Sequence, residues 1–464
     1  MDNEVRESKN RRRRYRGHID TLNETNEYPL LPNLPAIFDN KEVPTNVVDG
    51  DMNVFPEQFT CFNQFRVLDP IVLRNLRAIQ LDRPTVTQKY MIQHIYCSQK
   101  DVFVQATSRT GKTYGYTLPV IAKIGEWKVE KPTKRPNSPY AIVIVPTKTL
   151  GYQTYRDISL LTNGSSVSCA HALGGVSMRE TSDEFKRGCD IVVGTPGRVC
   201  HLIEENRLLF HNLRFMVYDE ADEIFLNFGG KGMDADVHKI INELKAAIED
   251  VSDRPKIRSI FCSATFTAGS MVFDGLVFQP DYRVNITIGK ENVTPNYIKH
   301  NFIFVQKQAE KSAVFAEMLP TFQSLGQTIV FVNRETETIT NAIFQTLSSG
   351  SYVSHELRAD NYARENLRAI TEIRDNVADF LVSTRIGARG LNFPSCRCVV
   401  NYEIPRDRHD LLNRLSRCAL AGSEAITFTF FAMDTDFSAA PWLCQLLEDT
   451  NQPVPVTLKE AADR

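Results

Sequence analysis

Short apolar runs separated by helical stretches recur along this chain in two successive series. The first reads Val102-Phe-Val, Ala141-Ile-Val-Ile-Val, Ile191-Val-Val, Phe215-Met-Val-Tyr and Ser259-Ile-Phe-Cys. Continuous apolarity marks strands covered on both faces, and strands alternating with helices mark crossovers between parallel neighbours. After a polar stretch near Gly289 to Asn296 the pattern restarts with Phe302-Ile-Phe-Val, Thr328-Ile-Val-Phe-Val, Phe380-Leu-Val-Ser, Cys398-Val-Val and Ala425-Ile-Thr-Phe-Thr-Phe-Phe. This predicts an α/β chain with two doubly wound parallel-sheet domains, at residues 56–288 and 299–464, joined by a linker at 289–298. Two such domains leave a cleft where the carboxyl ends of strands present loops to a ligand.

The 464 residues are too many for one core, and 42% apolar with 24% charged residues is a globular composition. No run reaches the roughly 18 apolar residues of a membrane span, so no membrane partner is expected. Met1 to Arg16 is polar and basic with no apolar stretch behind it, unlike a secretory signal, which predicts an intracellular protein of cytoplasm or nucleus. Residues 1–55 mix Arg, Asn, Pro and Asp without periodicity and read as a disordered basic arm. Its Lys9 to Arg16 run reads first as a solvated tail, with a nuclear address or a nucleic-acid contact as the alternatives. The ten cysteines are scattered singly apart from Cys396 and Cys398, a spacing that suits neither a disulfide framework nor zinc. A net charge of −2 argues neither for nor against nucleic acid.

Chemistry enters with Ala106-Thr107-Ser108-Arg109-Thr110-Gly111-Lys112-Thr113, which follows a buried run and opens a helical stretch. Backbone N–H groups at such a helix start cradle phosphate oxygens. Lys112 would reach the β and γ phosphates of ATP, and the Thr113 hydroxyl would help hold Mg²⁺. A lone Gly-Lys-Thr also occurs on ordinary surface turns. Here, however, the run Phe215 to Tyr218 ends in Asp219-Glu220-Ala221-Asp222. Asp219 is then a metal ligand and Glu220 the group that orients or deprotonates an attacking water; the bland alternative is an acidic helix start that favours the dipole.

Asp219 to Asp222 spells the signature of the DEAD-box family of ATP-dependent RNA helicases, and Ser263-Ala264-Thr265 resembles the segment that follows it there. The resemblance runs from about Phe62 to Leu458 and implies two RecA-like domains, ATP and Mg²⁺ as cofactors, and RNA as partner, with ribonucleoprotein partners besides. Arg83 to Gln88 resembles the family's Q motif, with Phe62 or Phe65 as the aromatic that stacks on adenine; an amide such as Gln88 can donate to and accept from adenine's edge. Asp222, Ser263 and Thr265 take the family's interdomain-coupling role. Pro146-Thr147-Lys148, Gly174-Gly175, Thr195-Pro196-Gly197-Arg198, Thr384 and Gly390 match segments that line the RNA path, and Arg389, Arg414 and Arg417 match its ATP-side arginines. Thr hydroxyls, backbone amides close to glycines, and Arg198 suit phosphate oxygens rather than base edges.

Several positions depart from that pattern. Arg109 stands for a glycine, Arg385 for an aspartate that would bond ribose, Asn392 for a second aspartate, Lys148 for an arginine and Thr149 for a glutamate. The arginine-rich sixth motif reads Asn413-Arg-Leu-Ser-Arg-Cys-Ala-Leu420, so its final arginine has become Leu420. An arginine finger is worth about 10³ to 10⁵ in turnover in related nucleotidases. The leading expectation is an RNA-dependent ATPase and helicase of the local-unwinding kind. The alternative is an ATP-gated RNA clamp with little turnover; a DNA translocase is disfavoured by the Q-motif and DEAD resemblance. At the other end, Trp442-Leu443 and Leu446-Leu447 predict a helix packed on the second domain, stopped at Asn451 to Pro455.

Overall fold

The computed structural model describes residues 45–48, 60–106, 110–130, 137–174, 181, 184–185, 188–226, 233–249, 257–264, 283–288, 298–333, 337–358, 363–384, 393, 396–415 and 425–464. The first series of runs forms a sheet of eight strands: β1 (Thr45–Val48), β2 (Asp101–Ala106), β3 (Ala141–Ile144), β4 (Cys169–Ala172), β5 (Ile191–Gly194), β6 (Phe215–Asp219), β7 (Arg258–Ser263) and β8 (Arg283–Ile288). Their order is β1-β8-β2-β7-β6-β3-β5-β4. All neighbours are parallel except β1 against β8.

Parallel pairing puts helices on both faces, so both faces must be apolar. Val102, Val104, Val143, Val193 and Val217 face one core with Leu76, Met91, Ile95 and Leu118. Phe103, Ile142, Met216, Tyr218 and Phe261 face the other with Val199, Leu202, Ile240 and Leu244. The one-residue alternation between cores is the period of a strand, hidden in the sequence because both phases are hydrophobic.

The second series builds a sheet of β9 (Ile298–Val305), β10 (Gln327–Phe331), β11 (Ser354–Leu357), β12 (Phe380–Ser383), β13 (Cys396–Asn401) and β14 (Ala425–Ala432), in the order β11-β12-β10-β13-β14-β9 and parallel throughout. It too has a core on each side, one with Phe331, Leu381 and Val399, the other with Val330, Val382 and Val400. The predicted terminal helix is Ala440–Asp449, with Leu443, Leu446 and Leu447 buried, and a further helix, Val456–Ala462, follows its stop.

One expectation needs correction. Thr45–Val48 lies in the stretch read as a disordered arm, yet it pairs with β8 from Thr45↔Ile288 to Val48↔Asn285. Two adjacent valines among polar residues are too short a signal for periodicity; the unpaired edge of β8 supplies the partner. β8 ends at Ile288 and β9 begins at Ile298.

Among the polar residues of the second sheet, His300 on β9 is half-buried. Its Nδ1 lies 3.3 Å from Thr427 Oγ1, and Nε2 has neither solvent nor a hydrogen-bond partner among the described residues. Burial lowers its pKa to about 4. The neutral ring is therefore favoured in the folded chain: its contribution is intact above the unfolded value near 6.5 and is lost as pH falls toward 4. Denaturant titrations at pH 7 and pH 4 should show His300→Gln losing less stability on acidification than the natural chain, by up to roughly 3 kcal/mol. Equal losses would mean that His300 does not carry the effect.

Candidate functional site

Because the strands are parallel, their carboxyl ends share one edge of the first sheet. β2 ends at Ala106, and Thr110 and Gly111 precede the helix Lys112–Glu130; Thr107, Ser108 and Arg109 lie outside the described residues. Gly111 has φ +86°, and a Cβ there would meet Gln88 Nε2 at 2.3 Å, so only glycine suits the turn. Lys112 is buried and reaches back over the loop, its Nζ donating to Ala106 O at 2.7 Å.

The Q-motif segment is tied to this loop. Thr85 and Gln88 form a capping box on the helix Val86–Cys97: Gln88 Oε1 accepts from Thr85 N at 2.8 Å and Thr85 Oγ1 from Gln88 N at 3.1 Å. Gln88 Nε2 also donates to Gly111 O at 3.3 Å, and Thr85 Oγ1 donates to Thr110 O at 2.6 Å. The Gln88 amide is thus engaged inside the protein at both ends, its nitrogen donating to Gly111 O through one of its two N–H groups. Of the two aromatic candidates, Phe62 is corrected to a core residue: it is 2% exposed and offers no face to a base. Phe65 keeps some surface, its ring set edge-on to Tyr96 at 5.2 Å.

Across from the loop, β6 delivers Asp219 beside Cys262 of β7. Asp219 Oδ2 accepts from Tyr116 Oη at 2.9 Å and lies 3.5 Å from Thr113 Oγ1, while Oδ1 accepts from Glu220 N at 3.1 Å. Burial raises the Asp219 carboxyl above its usual value, a shift that the Lys112 ammonium opposes. Burial and the Asp219 carboxylate together keep the Tyr116 phenol protonated and hence a donor. Carboxylate and hydroxyl oxygens are hard donors of the kind Mg²⁺ takes, so Asp219 and Thr113 fit the metal role read from the sequence. Tyr116 is the residue that reading missed; its one sequence signal is its position three residues after Thr113, on the same helix face.

Glu220 adopts φ +54°, left-handed for a residue with a side chain. Such a conformation costs about 1–3 kcal/mol. It turns the strand directly into the helix Ala221–Leu226, with Glu220 O accepting from Glu223 N at 3.0 Å. Glu220, Asp222 and Ser263 are all buried near these strand ends; Thr265 lies outside the described residues.

The segments expected along RNA leave β3, β5 and β4, the adjacent half of the same sheet. Pro146 and Thr147 follow β3, and Thr147 caps the helix Lys148–Thr162, its Oγ1 accepting from Leu150 N at 3.2 Å. Lys148 is exposed, and its stem lies so near Gly174 that a Cβ there would come within 2.7 Å of Lys148 Cε. Thr195 N donates to Ala172 O at 3.1 Å, tying the β5 and β4 ends together, and Pro196 starts the helix Pro196–Glu204. Gly197 is exposed and Arg198 half-buried. Gly175 lies outside the described residues.

In the second sheet, Thr384 follows β12 and is mostly buried, its N–H donating to Leu357 O at 3.4 Å. Arg385, Arg389, Gly390, Arg417 and Leu420 lie outside the described residues. Arg414 is corrected from an ATP-binding residue to a core cation. It is 0% exposed, and its guanidinium donates to Glu403 O, Asn333 Oδ1 and Asp410 Oδ2, each at 2.9 Å, with Phe331 stacked 5.3 Å away. A planar fork serving three acceptors has no counterpart in lysine.

The family profile for DEAD/DEAH box helicases matches residues 85–271, and that for the helicase conserved C-terminal domain matches residues 310–422. Between them they cover well over half of the chain. Among solved structures, S. cerevisiae Dbp5 bound to RNA and ADP BeF3 has a TM-score of 0.68 at 21% identity, over 87% of this chain and 99% of that one. The DEAD-box helicase Mss116 bound to ssRNA and UDP-BeF has a TM-score of 0.73 at 19% identity, over 88% and 84%. At these identities the likeness establishes the fold of two RecA-like parallel-sheet domains.

Two outcomes follow from the buried charges. Asp219→Asn, which removes a carboxylate whose ionised form burial disfavours, should raise the unfolding temperature of the nucleotide-free chain in calorimetry. A lower temperature would mean that the Lys112 attraction outweighs desolvation. Arg414→Ala, which strips a buried ion pair of its cation, should lose about 3–5 kcal/mol in denaturant titration.

Proposed function

The chain belongs to the DEAD/DEAH box helicase family, and on that premise we propose that it is an RNA-dependent ATPase that grips single-stranded RNA by its sugar-phosphate backbone. Hydrolysis is coupled to local unwinding or to remodelling of ribonucleoprotein. The observation that carries this reading is the order of the first sheet. β2, β7 and β6 carry the nucleotide-type groups Lys112, Ser263 and Asp219, and β3, β5 and β4 carry the Thr147, Thr195 and Gly174 turns alongside them, all on one carboxyl edge. Two proteins of the same fold that hold RNA and a nucleotide analogue together support it.

In this reading the backbone of the 106–113 loop cradles the phosphates, Lys112, which donates to Ala106 O, also donates to phosphate oxygens, and Thr113 and Asp219 hold Mg²⁺. When bound, Mg²⁺ offsets negative charge on the phosphates. Glu220, fixed by its left-handed turn, orients and accepts a proton from the attacking water. Gln88 presents its amide to adenine's edge while tied to Gly111 O, so the base site and the phosphate loop are linked.

A second reading, a clamp that binds ATP and RNA but turns over slowly, gains from one specific finding. Arg414 is consumed in the core, and the final position of the same motif is Leu420. Arg417 is then the one cation left in that motif to stabilise charge developing on the γ-phosphate, and such stabilisation raises turnover far more than binding.

An RNA-stimulated ATPase assay on the full chain separates the two. For the clamp, Leu420→Arg with Arg385→Asp should raise hydrolysis at least about tenfold, and adding Glu220→Gln should abolish the gain. Turnover in the natural chain already equal to that of the double variant would favour the ordinary helicase. In either case RNA affinity should fall steeply with salt, depend little on sequence and rise with a non-hydrolysable ATP analogue. Strong preference for one sequence at fixed length would contradict backbone recognition.

A further inference from the structure

Tyr116 makes the shorter of the two side-chain approaches to Asp219, at 2.9 Å against 3.5 Å from Thr113. Its ring is 1% exposed and packs in the core of the first sheet with residues such as Met91 and Val217. A hydroxyl in such surroundings is costly unless it is bonded, and phenylalanine would fill the same volume without that cost. The hydroxyl's position therefore asks for a reason beyond packing.

The Asp219 carboxylate supplies one. Tyr116 Oη holds Oδ2, which Thr113 Oγ1 also reaches at 3.5 Å, and the Glu220 backbone N–H holds Oδ1 at 3.1 Å, so each oxygen has a close donor. With both oxygens engaged, rotation of the carboxylate about its own axis would break at least one hydrogen bond, and Oδ1 keeps acceptor capacity to spare. Partners of this kind, which orient a metal ligand without touching the metal, typically change metal affinity or activity by about 10-fold to 100-fold when removed. Resting on the nucleotide-site reading above, we propose that Tyr116 is a positioning residue whose hydroxyl fixes the orientation in which Asp219 meets Mg²⁺. It touches neither nucleotide nor metal. Thr113, one turn earlier on the helix Lys112–Glu130, supplies the second oxygen of the same set.

The test is Tyr116→Phe in the full chain, read by binding of a fluorescent AMP-PNP analogue during Mg²⁺ titration and again in EDTA. The expected result is a rise of roughly 10-fold or more in the Mg²⁺ needed for half-maximal tightening, with metal-free affinity unchanged and binding restored by excess Mg²⁺. If the natural chain and Tyr116→Phe respond at the same Mg²⁺ concentration, the positioning role is overturned while the nucleotide site stands. If the natural chain shows no Mg²⁺-dependent tightening, the nucleotide-site reading fails and the role of Tyr116 falls with it. Loss of metal-free binding in Tyr116→Phe, whether from a distorted pocket or an unfolded chain, would assign Tyr116 to the core alone and overturn the proposal.

Discussion

A parallel sheet covered on both faces has no polar surface except at its ends, and most of what this chain can do follows from that constraint. Strands β2, β3, β5, β6 and β7 are buried along their whole length. A charged side chain within them would face hydrocarbon on either side. The exceptions are therefore informative. Two of them are acidic: Asp101 opens β2 and accepts from Ser259 N, and Asp219 closes β6. The first serves the sheet; the second is left at the carboxyl edge beside Lys112, where burial makes its charge costly and a cation would relieve it.

Other buried charges behave differently because their partners come from their own fold. Asp190 is satisfied by Lys128, at 2.9 Å, and by the N–H and hydroxyl of Ser168. Arg258 donates to the carbonyls of Ile95 and Ser98 and lies over the Phe215 ring. Arg414 joins Asn333, which follows β10, to Glu403 after β13 and Asp410 on the helix Arg408–Leu415. These groups hold loops to strands. Asp219, by contrast, has donors at both oxygens yet sits where two loops converge on nucleotide-type groups, which separates a site from a staple.

How legible this was in the sequence depends on burial. Every strand read from an apolar run is present, because strands in the middle of such sheets must be hydrophobic throughout. The strands that escaped detection are β4 and β11, short edge strands reading Cys-Ala-His-Ala and Ser-His-Glu-Leu, together with β8, whose burial alternates, and its partner β1. Edge strands need less apolar surface and declare themselves less. Site residues were legible where a turn demands a residue type, as at Gly111. They were misread where the type is ambiguous: Phe62 as a stacking surface rather than core, and Arg414 as a ligand-facing cation rather than a three-way buried clamp. Tyr116 went unnoticed because an aromatic residue in an amphipathic helix looks like packing, and the ring does pack; only the folded chain shows where the hydroxyl goes.

The bond from Gln88 to Gly111 carries one more step. Gln88 caps its own helix with one end of its amide and holds the carbonyl of the phosphate loop with the other, while Thr85 holds the neighbouring carbonyl of Thr110. The elements expected to read the base and to cradle the phosphates are thus braced against each other. An amide nitrogen carries two N–H donors and an ammonium three, so a base met by Gln88 or a phosphate met by Lys112 need not break the bonds to Gly111 O and Ala106 O. Where a ligand contact does replace one of these internal hydrogen bonds, it gains no more than the difference between two similar bonds.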